Sequence, residues 1–137
     1  MKLKDIQGEQ ILMATHVAST GNAASTGGQA VGRVPFRAVV TAVKFIADAA
    51  VTGATGDAPT LTLKNRGAAG AGTTAVAAKA FITGEDMVAF APEDITVSAT
   101  AADLLVAEGD VLSIDKTVAG SGTVIPAGTV VVYGKAR

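Results

Sequence analysis

The sequence predicts an all-β domain, either a β-sandwich or a barrel, and three observations lead there. Short stretches of apolar–polar alternation recur along the chain, as in TLTLKN (60–65) and DVLSIDKTV (110–118). Most of these stretches are rich in β-branched residues, which suit a pleated, half-buried surface. Between them lie glycine-rich punctuators, drawn from a total of 16 glycines, as tight turns at positive φ require. Seven or eight strands at this spacing suit a sandwich or barrel.

The first nine residues, MKLKDIQGE, are polar and short of strand formers. They are expected to form an N-terminal arm (1–9), leaving residues 10–137 as a single β domain. QILMATHVAS (10–19) places Ile11, Met13, Thr15 and Val17 on one parity and Leu12, Ala14 and His16 on the other, and reads as the first strand. ASTGNA (18–23) and ASTGGQA (24–30) form a tandem near-repeat of small polar residues, expected to be a flexible loop. VPFRAVVTAVKFIADAA (34–50) is the longest apolar stretch. Pro35 has no amide donor and suits the start or edge of a strand. Arg37 and Lys44 lie on opposite parities, so a straight strand would aim one at the core; a bulge or bend between them is expected. An amphipathic helix is the rival reading, opposed by Val34, Val39, Val40, Val43 and Phe45.

GATGDAP (53–59) reads as a turn, TLTLKN as a strand with Leu61 and Leu63 inward, and RGAAGAG (66–72) as a loop. TTAVAAKAFITG (73–84) is open between helix, favoured by its alanines, and strand, favoured by its threonines, Val76, Phe81 and Ile82. EDITVSA (93–99) alternates with Ile95 and Val97 inward, and ATAADLLVAEG (99–109) has room for a short helical turn. DVLSIDKTV puts Leu112 and Ile114 on one face, and GTVVVYG (128–134) is the last strand.

The core is expected to be built of small groups. The chain has 28 alanines, no tryptophan, one tyrosine and four phenylalanines. Such a core leaves little surplus stability, and subunit contacts are a natural source of further burial. An interface rich in alanine, valine and threonine and poor in charge is expected.

Chemistry is scarce. The 11 basic residues are balanced by 12 acidic ones, which argues against a direct nucleic-acid partner. There is no cysteine, so no thiolate metal site, thiol nucleophile or disulfide framework. The lysines of the N-terminus are not followed by an apolar segment of signal-peptide type, and no run approaches the length of a membrane-spanning helix, so no membrane partner is expected. His16, the only histidine, lies in a predicted strand with no carboxylate beside it in sequence, and no G-x-S-x-G elbow presents a serine. The acids pair as Glu85–Asp86, Glu93–Asp94 and Glu108 with Asp110, and are read as solvated turn residues. No EF-hand, P-loop or dinucleotide fingerprint is present. No catalytic, cofactor-binding or metal-ligating residue is assigned, and the chain is read as not being an enzyme.

Residues 106–134, VAEGDVLSIDKTVAGSGTVIPAGTVVVYG, combine a G-D-V-L strand opening, a G-S-G turn, P-A-G and a final valine strand. With FRAVVTAVKF and LTLKNRG upstream, this stretch resembles small structural proteins of tailed bacteriophages, above all capsid decoration (cement) and head-fibre-base proteins with jelly-roll-like β-sandwiches. The likeness covers residues 34–134. It implies a jelly-roll-like antiparallel β-sandwich and a non-enzymatic virion protein that binds and stabilises the capsid exterior. The implied partners are the major capsid protein and two further copies of the chain, in a homotrimer. A tail-tube or fibre-base subunit, and a β-sandwich module for sugar or calcium, are the alternatives. On this reading Asp110 bonds local backbone amides, Gly120 and Gly122 allow a tight reversal, and Pro126 and Gly128 set a second turn. The arm, with Leu3 and Ile6 as apolar anchors and Lys2 and Lys4 near acidic groups, is expected to lie against a neighbouring subunit or the shell; the alternative is an arm pinned to its own sandwich edge.

Overall fold

The computed structural model describes residues 8–20 and 22–137. Its strands are β1 (Gln10–Val17), β2 (Gly27–Arg33), β3 (Ala38–Ala47), β4 (Pro59–Asn65), β5 (Thr74–Ala80), β6 (Pro92–Val97), β7 (Leu105–Val106), β8 (Val111–Val118) and β9 (Gly128–Ala136). Among the described residues helix is confined to 3-10 turns at Thr55–Asp57 and Ala101–Leu104, the second within the segment expected to hold a helical turn. The strands pair antiparallel in the order β1-β9-β3-β6-β5-β4-β8-β2, with β7 added to β3.

β6 turns the corner between the two layers. Its Pro92–Ile95 segment pairs with β3, and its Thr96 and Val97 pair with β5. One layer is therefore β1, β9 and β3, and the other is β5, β4, β8 and β2. The ends of the path nearly meet, where Thr15 Oγ1 of β1 donates to the Val31 carbonyl of β2 at 2.6 Å. The fold is an all-β, jelly-roll-like sandwich, one antiparallel sheet nearly closed on itself. Closure matters because an open sheet edge is a template for unwanted pairing.

The alternating stretches fold as their patterns require. Leu61, Leu63, Leu112, Ile114 and Ile95 are buried, while Val97 is half-buried against the core. The expected bend in β3 is a bulge between Val40 and Ala42, opposite Gly134 and Tyr133 of β9. Before it Ala38 and Val40 face inward; after it Val43, Phe45 and Ala47 do. The extra residue resets the parity and keeps Lys44 off the core. Residues 74–80, open between helix and strand, form β5, whose Val76 and Ala77 are both buried across a register shift against β4.

The stretch read as a flexible loop is corrected in its second half. Residues 27–33 form β2, paired with β8 from Gly27↔Lys116 to Arg33↔Val111. A GGQ sequence has poor strand propensity, and the pairing is supplied by tertiary context. The first half is knitted down as well. Gln29 brackets the Ala18 backbone, accepting from its N–H and donating to its carbonyl, both at 3.0 Å. Ile125 N–H donates to Thr20 Oγ1 at 3.0 Å.

Between β5 and β6 the chain folds back over the end of the sandwich. Phe81 and Met87 are fully buried there, and Met87 exchanges backbone hydrogen bonds with Val51. Around Asp110 the expectation holds: its Oδ2 accepts from the Ala107 N–H at 2.9 Å and from Asn65 Nδ2 at 2.8 Å. Gly120 and Gly122 both adopt positive φ, in the reversal where Gly122 N–H bonds the Ala119 carbonyl.

Candidate functional site

The fold brings His16 a carboxylate that is 32 residues away in sequence. His16 on β1 and Asp48, just past β3, sit with Nε2 and Oδ2 2.9 Å apart, on an exposed surface. The pair anchors one edge of the imidazole. Among the described residues no serine or threonine hydroxyl is bonded to His16, so the relay that would activate a nucleophile lacks its third member.

Five of the six paired acids, read from sequence as solvated turn residues, are bound to cations or amides; Glu108 is exposed. Lys79 bridges Glu85 at 2.8 Å and Glu93 at closer range, and lies 5.5 Å from the Phe81 ring centroid. Burial alone would lower its pKa, but the hydrogen bonds to Glu85 and Glu93 outweigh it and hold the ammonium above its usual range. Asp94 pairs with Lys44, and Asp86 accepts from the Gly53 N–H at 2.8 Å. Among the described residues no three histidine, aspartate or glutamate side chains gather as a metal set.

Two charged groups on β8 are buried, and sequence reasoning missed both. Asp115 faces away from the core, yet it is buried between the flanking strands β2 and β4, against Gly28, Lys64 and Arg66. Its carboxylate accepts from Arg66 Nη2 at 2.5 Å and Ser113 Oγ at 2.8 Å, and lies 3.0 Å from Lys64 Nζ. Arg66 Nε also donates to Ser113 Oγ at 2.8 Å. Burial would raise this carboxyl, but the bonds from Ser113, Lys64 and Arg66 prevail and hold it below the usual carboxylate range.

Lys116 takes the opposite parity, in line with Leu112 and Ile114, and is 3 % exposed. Its ammonium donates to the Ala23 carbonyl at 2.9 Å, and to the Asn22 carbonyl and Thr20 Oγ1 at 3.3 Å. Burial lowers its pKa. It forms the floor of an open cavity of about 200 Å³, walled by Ser19, Thr20, Ser25, Thr26 and Gln29. The sequence signal for both residues was an acid and a base side by side inside one alternating strand, which leaves neither face of that strand wholly apolar.

The large apolar side chains left outside are Phe90, Val88, Ile11, Ile82, Leu105 and Val124. The interface residues assigned from sequence, Lys2, Leu3, Lys4 and Ile6, lie outside the described residues. Glu9, where the arm ends, accepts from Thr41 Oγ1 at 2.5 Å.

No protein-family model matches the chain. No curated protein matches it either. Among solved structures it is similar to a chain in the structure of infectious bursal disease virus, Gx strain, with a TM-score of 0.40 and 11 % identity over 96 % of this chain and 38 % of that one. A likeness that low carries no argument about fold or function.

Proposed function

We propose that the protein is a non-enzymatic virion structural protein that binds and stabilises the exterior of a phage capsid as a homotrimer. The observation that supports this best is where its polar and apolar groups go. The buried charges Asp115 and Lys116 are bonded to their own fold, while Phe90 and Val88 stand in solvent. Such a surface gains burial from a protein partner. The resemblance of residues 34–134 to decoration and head-fibre-base proteins supplies the shell and the trimer. The test is co-sedimentation of the purified protein with undecorated phage shells. Saturable binding at a fixed ratio to the major capsid protein is expected; its absence, with partition into tails instead, would favour a tail-tube or fibre-base subunit.

A ligand-binding module is the second reading, favoured by the hydroxyl-walled cavity above Lys116. Calorimetry with small anionic sugars distinguishes it, since a decoration protein needs no such heat of binding.

A further inference from the structure

The loop that leaves Met87 ends in a turn, Val88 to Ala91, closed by the Ala91 N–H to the Val88 carbonyl at 3.1 Å. Phe90 occupies its third position at φ 62°, alone among the described non-glycine residues in having positive φ. Glycine or asparagine ordinarily fills that place. Phe90 is nevertheless 74 % exposed, and Val88 beside it 63 %. In a chain with so few aromatics, one is held in an unfavourable backbone state and turned out to water. Strain of this kind persists where the surrounding structure imposes it, and it clusters at working sites. Phe90 N–H bonds the Ala47 carbonyl, which fixes this knob at the last residue of β3.

The other end of β3 carries a complementary feature. An apolar groove of about 410 Å³ runs between Val39, Leu104, Leu105 and Ala136, with Leu105 partly exposed. Lys135 and Arg137 border it, both exposed and without an ion-pair partner among the described residues. The acids near this groove are Glu9, bonded to Thr41, and Asp103, bonded to Ser98. The knob's loop carries Glu85, which Lys79 binds, and Asp86, which has no cation partner among the described residues. Knob and groove therefore match in shape class, and Asp86 offers a counter-charge to the two cations without ion-pair partners at the groove. They lie roughly 26 Å apart along the strand, at the usual rise per residue, which is too far to meet within one molecule.

We infer that Phe90 and Val88 of one copy seat in the Val39–Leu104–Leu105–Ala136 groove of the next, with Asp86 facing Lys135 and Arg137. A contact between two different patches is head-to-tail, and it yields a closed ring when the rotation between copies divides a full turn. This deepens the trimer of the proposed function by naming its contact, and it is testable without any shell. It also departs from the alanine-, valine- and threonine-rich interface expected from composition, because the side chains left unburied are large and the rim is charged.

The experiment is sedimentation velocity and native mass spectrometry of the full chain at micromolar concentration, comparing wild type with Phe90→Gly, Leu105→Lys and a charge-swapped pair, Asp86→Lys with Lys135→Glu. The expected result is a discrete ring whose dissociation constant rises by at least about tenfold in Phe90→Gly and in Leu105→Lys, as for other buried apolar anchors. Phe90→Gly should keep the wild-type circular dichroism and melt no lower than wild type extrapolated to infinite dilution, because glycine relieves the positive φ; loss of association is then not loss of fold. Lys135→Glu alone should weaken the ring, and adding Asp86→Lys should restore it. A monomeric wild type overturns the inference. So does a ring indifferent to Phe90→Gly and Leu105→Lys, or one abolished only by deleting residues 2–9, which would make the arm the occupant of the groove. Shell co-sedimentation is a separate measurement, so a monomer that still saturates shells refutes this contact and leaves the capsid reading standing.

Discussion

The carboxylate of Asp115 on β8 rests directly on Gly28 of β2, its paired residue across the sheet; a Cβ at position 28 would stand 2.3 Å from Oδ1 and 2.9 Å from Cγ. The carboxylate has little freedom to move aside, because Arg66, Lys64 and Ser113 hold it. Gly28→Ala should therefore destabilise the fold by about 1–3 kcal/mol, as other overpacked sites do. Combining it with Asp115→Ala should cost less than the sum of the two single changes, by about 0.5 kcal/mol or more. Chemical denaturation of the four proteins in the cycle measures both numbers, and strict additivity would mean that the two residues do not share this space.

Asp115→Asn tests the charge cluster. Breaking a buried pair costs about 3–5 kcal/mol, and because Lys64 and Arg66 keep roughly a quarter of their side chains in solvent, a loss at or below the bottom of that range is expected at neutral pH. The folded-state pKa of Asp115 is depressed, so its contribution is present above the unfolded value near 4 and fades as pH falls through the folded value. The stability gap between wild type and Asp115→Asn should accordingly narrow below about pH 4. A gap that stays constant from pH 7 to pH 2 would assign the loss to packing rather than charge.

Lys116→Met removes a buried ammonium whose folded pKa is lowered, which by itself relieves a penalty on the charged form. It also strips the donor from the Ala23 and Asn22 carbonyls. Those carbonyls are at most part-buried and can turn to water, so a loss at or below the bottom of the roughly 1–3 kcal/mol range for unmade bonds is expected, with faster amide exchange at Thr20 and Ser25. In wild type, stability attributable to Lys116 should rise with pH between its lowered folded value and the unfolded value near 10.4, where the unfolded chain holds more protons.

Leu112→Ala tests the core assignment read from alternation. Leu112 has no exposed surface, and emptying such a site costs about 2–5 kcal/mol. A loss below about 0.5 kcal/mol in urea denaturation would be incompatible with the packing described here.

Removing residues 2–9 tests the arm. The melting temperature should be almost unchanged, because those residues include few apolar anchors. Occupancy on undecorated shells should fall about tenfold if the arm contributes roughly 1.4 kcal/mol to binding. Full occupancy in competition with wild type would exclude the arm from the shell contact.

By itself the sequence determined the strands whose period repeats cleanly. Residues 60–65, 93–97 and 111–116 alternate because one face of each lies on the core, and that period is a local property. The bulge in β3 was legible for the same reason, since Arg37 and Lys44 on opposite parities could not both leave the core along a straight strand. Only the tertiary structure decided the rest. β2 exists because β8 offers it a ladder and because Gly28 leaves room for Asp115, and neither condition is written in GGQAVGR. Asp48 reaches His16, and the Asn22 and Ala23 carbonyls reach Lys116, across gaps of 32 residues and of 94 and 93 residues, so no spacing rule could have paired them. The knob and groove at the two ends of β3 follow the same logic: the exposure of Phe90 and Leu105 depends on which surfaces the closing sheet leaves uncovered. Periodicity records which face of a strand is buried, but contacts between distant segments depend on how the whole sheet closes.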